Sequence, residues 1–588
     1  MKFTANTRIG IACGIAASVF TIFSARLIHL HVAKHDEYSR LAALKHLNRQ
    51  TIPAKRGMIL DRNGEILATN LPVRTVFADA SRIKNPEALA ALVANHLGLD
   101  EKETLEKLYT QKKYIVLKRE VPEETAVALW NEMQKQKLRG IYSEQDAIRI
   151  YPNGEILGNV LGFLNHEGKA VQGVELSMNS QLAGKNGYRF IERDRTGREI
   201  VLYRGIEEDP EHGKNVRLTI DMGLQSIVEE ELDAAYKDLK PETANAVLVD
   251  PKTGAILAMA CRPSFNPNEP GKARPEQMKN RTIIDMVEPG STFKIVVAAG
   301  ALNEGKVNEK TTIFCENGRF VYGGRILKDH HGYGHMDVHE ILVKSSNIGS
   351  AKMALMMGGD KFYEYVRRFG FGERLGIELP GEIPGLVHPP ARWDKLTITR
   401  MPMGHSIAVT PLQITMGMAV IANGGHLMAP RIVQSVEKEN GEVTMKKEPI
   451  VMREVVPEKT AHFVADALIG VTQPGGTAAF ARVNGFQVAG KTGTAQKVSP
   501  HGGYAAGKYV VSFVGFMPAE DPKFVLLVMV DDAKIASNLN YGGLVAAPIF
   551  SRIAERAARH LDLTPTMPAI PLQPTPIAST SPAEERGN

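Results

Sequence analysis

From Ile9 to Ala25 the chain carries no charged residue, and Leu27, Ile28 and Leu30 extend the apolar character past Arg26. A run of this length fits a helix across a bilayer, because a helix satisfies its own backbone N–H and C=O groups where no water can reach them. A cleaved leader fits less well: Phe23-Ser24-Ala25 is a poor small-x-small site and Arg26 follows at once. Residues 9–31 are therefore expected to be an uncleaved anchor, with 1–8 as a cytoplasmic tail. Lys2 and Arg8 precede the run, and no second long apolar run follows. The excess of positive charge on the inner side then puts the rest of the chain, and its chemistry, outside the cytoplasm, as a single-pass membrane protein.

A chain of 588 residues exceeds one ordinary domain. With 43% hydrophobic and 23% charged residues it reads as folded rather than disordered. A net charge of +6 is too mild over this length to indicate nucleic acid as a partner. Three cysteines, Cys13, Cys261 and Cys315, form no even-numbered disulfide framework, and whether the last two pair is open at this level.

Turn signals at Arg62-Asn63-Gly64, Pro152-Asn153-Gly154 and Lys185-Asn186-Gly187 divide residues 32–215 into a mixed strand-and-helix module. Leu89, Leu92, Val93 and Leu97 predict a helix within Asn85 to Lys112. The charged stretch Glu207 to Lys214 reads as a linker, and a helix opening at Thr219-Ile220-Asp221 begins a second domain over 216–562. Ala246 to Val249 and Ala255 to Ala260 flank a turn and read as a buried hairpin. Val510 to Phe516 and Phe524 to Val530 add strands, and Ala547 to His560 adds a closing helix, so early and late strands must share a sheet. Prolines recur through 563–588, which is expected to be a disordered tail.

The sharpest local signal is Glu288-Pro289-Gly290-Ser291-Thr292-Phe293-Lys294, followed by an apolar run. Pro-Gly before Ser opens a helix, and a lysine three residues on shares the serine's face, as a nucleophile and its base require. The helix N-terminus disfavours a nearby cation, which pushes Lys294 toward the neutral form a base needs. Ser81 to Lys84 and Ser435 to Lys438 repeat the pattern, without Pro-Gly before or an apolar helix after. Ser345-Ser346-Asn347 sets a hydroxyl and an amide two residues apart. Lys491-Thr492-Gly493-Thr494 offers a cation on a strand of small residues that a substrate backbone can approach. Each has chance copies elsewhere: Ser177 to Asn179, Ser264 to Asn266, and Lys252-Thr253-Gly254 in a turn.

Taken in order, Ser291-x-x-Lys294, Ser345-x-Asn347 and Lys491-Thr492-Gly493 resemble the three-part signature of the penicillin-binding proteins. Arg56 to Gly64, RIYPNGEILGNVLGFLNHEGKAVQGVEL, PSFNPN, VTPLQ, GGTA and YGGLVAAPIF extend the resemblance to class B, and NRTIIDMVEPGS with PVRTVFAD resembles its division-specific FtsI type. One departure is Met403-Gly404-His405-Ser406, where the family often has Gly-aromatic-Gly. The resemblance implies an α+β fold: one transmembrane helix, a mixed α/β non-catalytic pedestal of the dimerisation type, and a transpeptidase domain with an antiparallel sheet flanked by helices.

It further implies a serine D,D-transpeptidase that cross-links peptidoglycan stem peptides ending in D-Ala-D-Ala. By the same resemblance Ser291 would be the nucleophile, Lys294 its base, Ser345 the proton relay and Asn347 the amide holder; Lys491, Thr492 and Thr494 would hold the carboxylate, with Gly493 in the same substrate-binding strand. No cofactor or metal is implied. Partners are stem peptides, β-lactam antibiotics, a membrane-embedded glycan polymerase and division proteins. An elongation-type enzyme, a hydrolytic β-lactamase or carboxypeptidase, and an idle penicillin-binding scaffold remain as alternatives. A metal site at Asp329-His330-His331, His335 and His339 lacks completing cysteine or acidic spacing.

Overall fold

The computed structural model describes residues 5–35, 38, 48–110, 112–191, 207–498, 503–536 and 539–568. The chain divides into two compact units, one of Met1–Arg56 with Ala183–Gly213 and one of Gly57–Leu182 with Lys214–Asn588. In the first, a helix over Ala5–Ile28 continues into a wider turn, His29–Ala33. Its span Ile9–Ala33 is long and apolar enough to cross a membrane. Asn48–Ile52, Gly187–Ile191 and Glu207–Glu208 form a small antiparallel sheet in the same unit.

The second unit holds a seven-stranded sheet that joins Ile59–Leu60, Ile66–Ala78, Ile115–Pro122 and Ile141–Ile150 to Asn215–Leu218, Val433–Glu437 and Val443–Lys446. One sheet thus draws strands from both sides of residue 216. Beside it, the single helix predicted over 85–112 is two, Pro86–Leu97 and Glu101–Tyr109. Gly98 at φ +64 ends the first, and the Asp100 carboxylate accepts the Glu103 N–H at 2.8 Å to start the second. The left-handed residue turns the chain before the apolar spacing runs out.

A further sheet in this unit is five-stranded. Its strands are β1 (Thr243–Val249), β2 (Ile256–Arg262), β3 (Ala489–Val498), β4 (Tyr504–Met517) and β5 (Phe524–Asp531), in the order β2-β1-β5-β4-β3, all antiparallel. Early and late strands meet where Val247 pairs with Leu527. β1 and β2 are buried at every residue, so both faces of the sheet are covered. The helices used below are α1 (Met222–Leu239), α2 (Lys294–Asn303), α3 (Asn347–Met357), α4 (Pro411–Ala422) and α5 (Gly542–His560). α1 and α5 pack on each other and on the sheet, and α4 packs on β1, β4 and β5. Phe513 of β4 meets Phe550 of α5 edge-on at 4.7 Å.

All three cysteines are free, Cys261 and Cys315 buried. The expected tail reaches the described residues only up to 568, where Thr566 and Met567 N–H groups donate to Gly485 O at 2.9 and 3.0 Å; 569–588 lie outside them.

Candidate active site

Every residue of α2 from Lys294 to Ala301 is buried, as an apolar helix without a polar face must be. Its chain enters through a 3₁₀ turn, Gly290–Phe293, with Gly290 at φ +59. Side chains three apart eclipse in such a turn, so Ser291 and Lys294 lie on one side of it. Phe293 anchors the turn edge-on against Phe371 at 5.0 Å. Ser291 faces a cleft of about 480 Å³, and its hydroxyl has no hydrogen-bond partner among the described residues.

Lys294 is 0% exposed. Its Nζ donates to Ser345 O at 2.5 Å and Asn347 Oδ1 at 2.8 Å and lies 3.0 Å from Ser345 Oγ. Burial holds its pKa well below the ordinary lysine range, Lys491 pushes the same way, and Asp329 opposes. The buried amine is thereby kept toward its neutral, proton-accepting form.

Ser345 stands at φ +58 between a short helix, Val338–Val343, and α3. Ser346 caps α3, its Oγ accepting the Gly349 N–H at 3.0 Å. Asp329 pins the same end: its carboxylate accepts from Ser346 Oγ at 2.7 Å, Asn347 N at 2.5 Å and Ile348 N at 3.1 Å. An anion there suits the helix dipole and leaves Asn347 Oδ1 turned to Lys294. Asp329 is thus absorbed in holding α3, and among the described residues no group of His, Cys, Asp and Glu is arranged to hold a metal ion.

Lys491 on β3 is also 0% exposed, and its Nζ donates to Ser345 Oγ at 2.9 Å. Burial lowers its pKa to about 7. The Ser345 hydroxyl is therefore the junction between two buried amines. Next along β3, Thr492 Oγ1 lies 3.2 Å from Thr477 Oγ1, and Thr494 Oγ1 accepts the Gly542 N–H at 3.3 Å. A side chain at Gly493 would put Cβ 2.4 Å from Ser512 Oγ and 2.9 Å from Pro289 O. Glycine there lets the strand lie directly on the serine turn.

Ser291, Ser345, Thr492 and Thr494 share the cleft wall, with Lys294 and Lys491 buried and bonded to Ser345. The chance copies of the motifs stand elsewhere, engaged in local hydrogen bonds. Ser81 Oγ donates to Asp79 at 2.5 Å, Ser435 Oγ to Glu437 at 2.7 Å, and Thr253 Oγ1 to Asp250 at 2.7 Å. The sequence reading did not single out Thr477, Tyr541, Gly542 or Gly543 as site residues, although all line the cleft. Their signal was present as paired glycines beside hydroxyl residues in GGTA and YGGLVAAPIF. His330, weighed earlier as a metal ligand, lines the cleft beside Tyr541, and burial, then Lys294, lowers its pKa.

Known proteins are similar to this chain over nearly its whole length. Residues 244–555 match the family described as the penicillin binding protein transpeptidase domain, and 51–218 match the penicillin-binding protein dimerisation domain. The peptidoglycan D,D-transpeptidase FtsI of Escherichia coli strain K12 is 33% identical over 95% of this chain and 92% of its own. Stage V sporulation protein D of Bacillus subtilis is 34% identical over 93% and 84%. Penicillin binding protein 3 of Mycobacterium tuberculosis, solved with aztreonam, superposes with a TM-score of 0.69 at 28% identity, covering 90% of this chain and 100% of that one. With both domain matches in chain order and a serine, two buried lysines and a small-residue strand converging on one cleft, this chain belongs to the class B penicillin-binding proteins and is a peptidoglycan D,D-transpeptidase.

Proposed function

We propose that this transpeptidase works through an acyl-enzyme on Ser291 and serves septal wall synthesis during cell division. The observation that carries the chemistry is Lys294: wholly buried, its pKa driven down, and bonded to both Ser345 and Asn347 one 3₁₀ turn after the serine. Neutral Lys294 takes the Ser291 hydroxyl proton as Oγ attacks the carbonyl carbon of the penultimate D-alanine. The tetrahedral oxyanion is held by the backbone N–H groups of Ser291 and Thr494, each such donor being worth about 3 kcal/mol. Ser345, placed between the two amines, passes the proton to the leaving nitrogen, the C–N bond breaks and terminal D-alanine departs. Lys491, Thr492 and Thr494 hold the donor's carboxylate and Asn347 its amide. An amine of a neighbouring stem peptide then attacks the ester, releasing Ser291 and forming the cross-link. β-Lactams, which present the same carboxylate beside a reactive amide, acylate the same oxygen.

The septal role rests on the FtsI-type segments and on the similarity to FtsI itself. The Ile9–Ala33 helix, with positive charge before it, supports a periplasmic catalytic domain over 216–562 on a pedestal of 32–215, in contact with a membrane glycan polymerase and division proteins. The deciding experiment labels the detergent-solubilised full chain with a fluorescent penicillin, beside Ser291→Ala, and maps the label by mass spectrometry. A label on Ser291 that persists for minutes supports the acyl-enzyme. Rapid release favours hydrolysis, and cross-linked product from Ser291→Ala would overturn the assignment.

A further inference from the structure

One polar cluster borders the site without entering the chemistry above. Glu288 precedes the Pro289-Gly290-Ser291 turn, and its side chain is 12% exposed. Its Oε1 accepts the Ser406 N–H at 3.0 Å, its Oε2 lies 2.7 Å from His405 Nδ1, and the Tyr504 hydroxyl donates to Oε2 at 3.1 Å. The Tyr504 oxygen also stands 3.2 Å from Nδ1, and the two rings meet edge-on at 5.8 Å. Burial and the Glu288 charge push the Tyr504 phenol up to about 12, which keeps it a donor.

These three residues come from the three segments that frame the nucleophile. Gly404, at φ +82, lies so close to the serine turn that a Cβ on it would fall 2.2 Å from Gly290 O. The Gly290 N–H in turn donates to Gly404 O at 3.4 Å. Tyr504 opens β4 and pairs with Val498 at the far end of β3, the strand that carries Lys491 to Thr494. The carboxylate of Glu288 therefore ties the serine turn, the 404–406 loop and the outer end of the β3–β4 hairpin at one point. His405 occupies the position where the resemblance leads one to expect an aromatic residue, so the imidazole bond is this chain's own variant of the contact.

We propose that Glu288, His405 and Tyr504 are positioning residues that clamp the β3–β4 hairpin onto the Ser291 turn and so set the approach of Thr494 to the nucleophile for acylation. The inference rests on Ser291 being the nucleophile. Such a clamp acts on the chemical step more than on initial binding, because reacting atoms displaced by a fraction of an ångström lose rate before they lose affinity.

The test is stopped-flow acylation of the full chain by a fluorescent penicillin, resolving the dissociation constant of the first complex from the acylation rate constant, with Tm measured alongside. Tyr504→Phe removes only the hydroxyl from a residue that is 47% exposed, so the fold is retained. Glu288→Gln keeps an acceptor for Ser406 and Tyr504 but drops the charge. Tyr504→Phe is expected to lower the acylation rate constant about fivefold to tenfold with dissociation constant and Tm unchanged, and Glu288→Gln to fall between it and wild type. A Tyr504→Phe rate constant equal to wild type, or a loss that tracks a fall in Tm, overturns the clamp while leaving the nucleophile in place. A wild type that takes no label on Ser291 overturns both.

Discussion

At Ser345, glycine should be a milder replacement than alanine, against the usual order. The residue stands at φ +58, a left-handed conformation that costs a side chain about 1–2 kcal/mol relative to glycine. Its Oγ lies 3.0 Å from Lys294 Nζ and accepts from Lys491 Nζ at 2.9 Å. Lys294 keeps Ser345 O and Asn347 Oδ1 when the hydroxyl is removed, whereas Lys491 loses its one hydrogen-bond acceptor among the described residues. Orphaning that buried amine costs about 1–3 kcal/mol in either variant. Ser345→Ala suffers that loss and keeps the backbone strain. Ser345→Gly suffers it, recovers the strain, and gives back about 0.4–1 kcal/mol to the freer unfolded chain. The difference leaves glycine ahead by roughly 1 kcal/mol. Urea unfolding should rank the midpoints wild type, then Ser345→Gly, then Ser345→Ala, while both variants lose penicillin acylation by about 100-fold or more. An alanine variant as stable as the glycine variant would refute the strain argument, and a Ser345→Gly enzyme with wild-type acylation would refute the relay.

Lys491, with a folded pKa of about 7 against an ordinary 10.5, binds fewer protons folded than unfolded between those values. Stability should therefore rise with pH across that window, by up to about 5 kcal/mol, and Lys491→Met should flatten the rise in pH-dependent unfolding. Lys294 is held low by burial and must be neutral to act as base, so the acylation rate should fall on the acid side in stopped-flow labelling; a flat profile would count against it. Gly493→Ala drives a Cβ to 2.9 Å from Pro289 O and should slow acylation about tenfold or more by lifting β3 off the serine turn, with the far-UV spectrum unchanged. Arg149 and Glu175 form a buried pair at 2.7 Å with side chains 4% and 0% exposed. Arg149→Met alone should cost about 3–5 kcal/mol in urea unfolding, and Arg149→Met with Glu175→Leu should recover most of it.

The order of motifs and the periodic segments were legible along the chain because they depend on neighbours. The apolar run from Ile9, the hairpin around Lys252 to Gly254, and the serine followed by an apolar helix all follow from local pattern. So did Ser291, Ser345, Thr492 and Thr494 of the cleft wall, since three spaced motifs in one order are rare even though each alone recurs. What local pattern could not decide was partnership. The break at Gly98 depends on one left-handed residue that the hydrophobic spacing runs straight through. The shared sheet of Ile59–Leu60, Asn215–Leu218 and Val433–Glu437 depends on pairings across hundreds of residues. Spacing placed Ser291 and Lys294 on one face, but the hydrogen bonds of the lysine go to Ser345 and Asn347, and the two lysine pKa values arise from burial that only packing supplies. The sequence by itself singled out Ser291, Lys294, Ser345, Asn347 and Lys491 as candidates, because candidacy is a matter of side-chain type and short spacing. The tertiary structure decided their protonation and mutual contacts, because desolvation and hydrogen bonding depend on distant segments that close over the site.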